Sequence, residues 1–146
     1  MRVLALHPGA LGDVILSLPA LGALRRAEPG AEITLACDAG LPGPLLAPYA
    51  QRVLPLSAFP LHRLHRPAPP SEEDIRFWNG YDRVVSWTGA ANGDFVSNLR
   101  RIHSGALIAP WRPEPGEMRH VARIFADSLA LPPPLTRDLA PARIRP

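Results

Sequence analysis

Hydrophobic residues come along this chain in short, dense runs separated by polar breaks marked with glycine and proline. Five runs, Arg2–Leu6, Glu32–Ala36, Arg52–Leu56, Arg83–Ser86 and Ala106–Ala109, are apolar without alternation, the pattern of strands covered on both faces. Between the first two lies an apolar helical segment, Val14 to Leu21, ending in Arg25 and Arg26, whose charges suit the negative end of a helix dipole. Pro19 inside it would cost an interior hydrogen bond, so a kink there, or a helix proper that begins near Pro19, is expected. Further helices are predicted over Ser71–Asn79, Gly93–Ile102 and Glu117–Leu131. Ser71 with Glu72, Glu73 and Asp74 is a cap followed by acids in the first turn. In the last helix His120, Val121, Ile124, Phe125, Ser128 and Leu129 recur at helical spacing as an apolar face. Strands alternating with helices predict an α/β fold, a Rossmann-like, doubly wound parallel sheet over residues 1–131. The stretch Pro55 to Pro70 reads as a long, basic, mobile excursion, and 132–146 as a proline-rich linker or tail.

Composition narrows the class without naming an activity. The 146 residues suffice for one domain with a real core. No apolar run reaches the length of a membrane span, and Pro8, Gly9, Gly12 and Asp13 interrupt what could pass for a signal peptide. The expected location is the cytoplasm, with contact at the inner face of the membrane left open. One cysteine, Cys37, excludes an internal disulfide and a cysteine-based metal cluster, and its place after Ile33–Ala36 suggests a buried strand end. All 16 basic residues are arginine, but they are scattered, and aromatic residues make up 6%, which argues against a nucleic-acid partner.

The chemistry concentrates at two strand ends. After the first strand come His7-Pro8-Gly9-Ala10-Leu11-Gly12-Asp13: glycines that let a ligand approach the backbone, then one carboxylate where a helix begins. The run is neither a dinucleotide fingerprint nor a P-loop, and Asp13 would repel a phosphate there. Asp13 can be read as a helix cap or as a ligand-binding or catalytic group. After the fourth strand, Trp87 could offer a flat face to a sugar, with Thr88 and Asn92 bonding its hydroxyls; an ordinary loop in which Asn92 or Asp94 caps a helix is the alternative. His62-Arg63-Leu64-His65-Arg66 could meet an anionic acceptor or be a solvated basic loop, and no metal site is expected.

The segment from Arg2 to Leu21, with Gly22–Arg26 and Pro29–Leu35, resembles the start of glycosyltransferase family 9, the ADP-heptose:lipopolysaccharide heptosyltransferases. Weaker echoes are Tyr81–Val85 and His120–Arg123. The resemblance implies the N-terminal, acceptor-binding half of a two-domain GT-B fold, with Asp13 as catalytic base. The candidate substrate contacts are His7, Gly9, Ala10, Leu11, Gly12, Trp87, Thr88, Asn92 and His120. It also implies a glycan or lipid-linked sugar as acceptor, and a nucleotide-sugar donor, ADP-heptose, held by a C-terminal domain that this chain lacks. The chain alone is therefore not expected to be a competent transferase. His7 departs from the family, which commonly has arginine or lysine there, so a basic contact becomes weaker or pH-dependent. The rivals are a stand-alone, non-catalytic glycan- or nucleotide-binding α/β domain and, more weakly, a small nucleotide-binding module. A reading frame that continues past Pro146 into a second α/β half would favour the transferase.

Overall fold

The computed structural model describes residues 1–40 and 43–132. Five strands, β1 (Arg2–Leu6), β2 (Glu32–Ala36), β3 (Arg52–Leu54), β4 (Arg83–Ser86) and β5 (Leu107–Ile108), pair in parallel in the order β3-β2-β1-β4-β5. The doubly wound sheet expected from the apolar runs is therefore present. β1, β2 and β4 have the bounds the pattern predicts. β3 stops at Leu54, because Pro55 has no N–H to continue the ladder and the chain turns into a 3-10 segment, Leu56–Ala58. β5, paired to β4 alone, keeps two residues.

Among the described residues six helices accompany the sheet: α1 (Leu11–Ala27), α2 (Gly43–Leu46), α3 (Leu61–Leu64), α4 (Glu72–Trp78), α5 (Gly93–Ile102) and α6 (Val121–Asp127). Alternate residues of β1 feed two cores, as the pleat requires. Val3 and Ala5, with Ile33, Leu35 and Val85, meet Val14, Leu18, Leu21 and Leu24 of α1 and Phe125 and Ala126 of α6. Leu4 and Leu6, with Val84, meet Phe59, Leu64, Trp78, Phe95 and Leu99. α1 packs against both the sheet core and α6, so nearly all its residues from Ser17 to Leu24 are buried. That explains its lack of a clean polar stripe. It runs unbroken through Pro19, where a start was one of two expectations; burial on several sides holds a turn that proline weakens.

Two other expectations change. α6 begins at Val121, four residues later than predicted, because Glu117 and Arg119 are locked in a turn: the Arg119 N–H and guanidinium both donate to the Glu117 carboxylate, at 2.9 and 2.7 Å. The excursion from Pro55 to Pro70 is tied down rather than loose. Phe59 and Leu64 are buried, and the Asn98 amide donates to the carbonyls of Leu64 and Arg66 at 3.0 and 2.8 Å. Arg63 pairs with Glu73 and Asp74 of α4, both at 3.2 Å. α4 itself opens with a reciprocal capping box between Ser71 and Asp74. The predicted tail lies, from residue 133 on, outside the described residues.

Candidate functional site

In this strand order the chain turns from one side of the sheet to the other between β1 and β4, and ligands of doubly wound sheets bind in the crevice that opens there. Both stretches singled out in the sequence, His7–Asp13 and Trp87–Asn92, follow these two strands. The β1–α1 corner is tight. His7 is fully buried, and its Nδ1 accepts the Gly9 N–H at 3.0 Å. Gly9 is buried and has no room for a side chain: a Cβ there would stand 2.6 Å from Asp13 Cβ, 2.8 Å from His7 Cε1 and 3.1 Å from Trp111 Cε3. The glycine is thus required by close approach rather than by a left-handed turn.

Ala10 is the N-cap of α1 and supplies no side-chain bond; Leu11 and Gly12 are exposed, and Asp13 is half-buried in the first turn. Asp13 does not cap. Its carboxylate makes no hydrogen bond or ion pair among the described residues, and it stands close enough to His7 to favour a charge on that imidazole. Burial works against this and wins, pulling the His7 pKa down to about 4, so His7 is neutral at pH 7. A basic contact from His7 is therefore absent at neutral pH, in keeping with the departure read in the sequence.

Trp87 requires a correction. Its ring is fully buried and cannot present a face to a sugar. It points into the core shared with α1 and α6, donating Nε1–H to Ser128 Oγ at 2.8 Å and meeting Phe125 edge-on at 5.1 Å. Asn92 has the capping role: its Oδ1 accepts the Phe95 N–H at 2.8 Å and starts α5. Thr88 is half-buried, with its backbone N–H and carbonyl bonded to the Ser86 hydroxyl, and its own hydroxyl is unengaged among the described residues. His120, assigned in the sequence to an apolar helix face, is instead the exposed N-cap of α6, its Nδ1 accepting the Ala122 N–H at 3.2 Å.

The residue missed is Trp111. It follows β5 and packs on His7, ring centroids 6.5 Å apart, with Arg112 held over its own ring at 4.2 Å. Every loop after a parallel strand opens on the same sheet edge, so the pair Trp111-Arg112 just beyond the fifth apolar run was a findable signal. In the basic run, Arg63 is consumed by its two carboxylates and His65 lies on Phe95, 4.9 Å between ring centroids, which leaves His62 and Arg66 exposed. No group of three or more His, Cys, Asp or Glu side chains among the described residues converges as metal ligands. No helix among them is long and apolar enough to cross a membrane.

No protein-family model matches the sequence, and no curated protein does. Solved structures do. A glycosyl transferase family 9 structure from Veillonella parvula superposes with a TM-score of 0.58 at 19% identity, over 99% of this chain and 45% of its own. The E. coli heptosyltransferase WaaC with ADP gives 0.51 at 17% identity, over 89% of this chain and 47% of its own. The same enzyme with ADP-2-deoxy-2-fluoro heptose gives 0.50 at 19%. The chain thus spans about half the length of the structures it resembles. At such identity the likeness is one of fold: this chain carries the Rossmann-like α/β architecture found within these glycosyltransferase structures.

Proposed function

We propose that this chain is the acceptor-binding, N-terminal half of a family-9-like glycosyltransferase, residues 1–131 forming the domain and 132–146 a linker. The complete enzyme moves a heptose or related sugar from a nucleotide-sugar to a lipopolysaccharide or other cell-envelope glycan, at the cytoplasmic side of the membrane. The observation that carries this reading is Asp13: a carboxylate at the switch point of the sheet, partly open to solvent and without a hydrogen bond or ion pair among the described residues. The fold likeness to glycosyltransferase structures supports it.

Asp13 is the general base. It accepts the proton of an acceptor hydroxyl as that oxygen attacks the anomeric carbon of the donor sugar; the bond from that carbon to the nucleotide diphosphate breaks, and the diphosphate leaves with the electron pair. A carboxylate already spent on a cap or an ion pair would be less available for this. Gly9 is buried and packs the corner behind Asp13 rather than meeting the substrate, and the exposed Leu11 and Gly12 with Thr88 edge the crevice. In this reading an anionic acceptor is met by the exposed His62 and Arg66. The phosphates of the donor belong to the other half, since Asp13 would repel them here.

This division of labour is tested by titrating the 146-residue chain with ADP-heptose in a calorimeter. The expected result is no saturable binding at micromolar donor. Micromolar affinity would overturn the acceptor-side assignment and favour a nucleotide-binding domain.

A further inference from the structure

The imidazole of His7 sits where an apolar side chain would serve packing as well. It is fully buried among the rings of Phe125, Trp87 and Trp111, with centroids at 5.3, 5.5 and 6.5 Å. Because Nδ1 accepts from Gly9, the proton of the neutral ring is on Nε2, and Nε2 is buried with no hydrogen-bond partner among the described residues. An unpaired buried N–H is a cost that leucine or phenylalanine would avoid. What histidine adds is the Nδ1 lone pair, and it is used on one group, the Gly9 N–H. Gly9 in turn is wedged between His7 Cε1 and Asp13 Cβ, with less than van der Waals room for any added atom on that side. A change at the ring is therefore passed through the Gly9 backbone to the first turn of α1.

We infer that His7 is the positioning residue of this corner: as a neutral imidazole accepting the Gly9 N–H, it fixes the backbone against which the Asp13 carboxylate is set. The inference rests on the reading of Asp13 as the base, and it assigns His7 a role other than substrate contact. The charged groups around the ring are few. Asp13 of α1 acts on it directly, and Arg112 lies over Trp111; β4 and α6 present only the uncharged rings of Trp87 and Phe125. Protonation turns Nδ1 from acceptor to donor, so the Gly9 bond must break when His7 gains a proton. Across neutral pH the corner keeps one geometry, and in acid it is released.

The test is nuclear magnetic resonance on the isotopically labelled chain, following amide exchange at Gly9 against Leu4 of β1 as an internal reference, and the scalar couplings that report the Asp13 χ1 rotamer. In the wild type, Gly9 is protected at pH 7 and loses about tenfold relative to Leu4 as pH falls through about 4, the worth of one neutral hydrogen bond. His7→Asn, whose Oδ1 can take the place of Nδ1, keeps the Gly9 protection with no step in acid. His7→Phe, which fills the space without an acceptor, loses the protection at every pH and changes the Asp13 rotamer couplings. Wild-type Gly9 protection and Asp13 couplings in His7→Phe would overturn the inference, as would the same acid step in His7→Asn. Should His7→Phe fail to fold, the contrast between wild type and His7→Asn decides alone. None of these readouts needs substrate. If Asp13 proved dispensable for sugar transfer, the function would fall while the positioning of the corner stood.

Discussion

A methyl group added at Gly9 would enter the space of Asp13, His7 and Trp111 together, and two of the three neighbours are tied by backbone or core packing. Gly9→Ala is expected to destabilise the chain by about 1–3 kcal/mol, the range for overpacking a closed site, seen as a lowered thermal midpoint. An unchanged midpoint would mean that the corner is looser than its distances imply. His7 makes a second prediction at this scale. Its pKa is about 4 when folded against 6.5 when free, so the unfolded chain binds the proton first as pH falls. The contribution of the neutral imidazole is complete above pH 6.5 and is lost between 6.5 and 4, amounting to about 3 kcal/mol. Urea denaturation at pH 7.5 and pH 4.5 should show this loss in the wild type and a much flatter response in His7→Asn. Equal slopes in both would place the acid sensitivity elsewhere.

Among the elements, α5 shows how a polar residue of the candidate crevice can be structural. Asn92 caps it, and Gly89 just before holds a positive φ of 75° with the Phe95 ring packed where its Cβ would lie. Asn92→Ala should cost about 1 kcal/mol through the lost cap, read as a shift in urea midpoint. No shift would return Asn92 to the list of free ligand groups. The bounds of β1, β2, β4 and α5 were legible because dense apolar runs end in turn residues, and cap and period agree. α6 was overextended at its start because apolar spacing reaches back to His120, while the turn that precedes the helix depends on Glu117 and Arg119 bonding each other. Pro19 misled for the opposite reason: local chemistry argued for a break, and burial by sheet and α6 overrode it. Trp87 was read as a sugar platform since nothing in a single sequence says which face of a strand end meets a helix. The alternation from Val85 to Trp87 in fact puts it on the α1 and α6 side. The position of Asp13 was legible, as a carboxylate between strand and helix; that it makes no hydrogen bond or ion pair among the described residues was visible only in three dimensions.

For the whole molecule, the strand order brings the ends of β1 and β4 side by side, and with them the one corner where a buried histidine, a closely packed glycine and a half-exposed carboxylate meet. The chain covers 45% and 47% of the lengths of the glycosyltransferase structures it resembles. In the proposed reading this chain offers the base and the crevice, and the activated sugar is held by a second half. The central claim is that Asp13 takes the acceptor proton. Steady-state transfer by the complete enzyme, this chain joined to its donor-binding half, tests it directly by comparing wild type with Asp13→Asn, which keeps size and removes the base. The account predicts that kcat falls about 10²–10⁴-fold while the KM for acceptor stays within a few-fold. A variant that transfers sugar at nearly the wild-type kcat would contradict it.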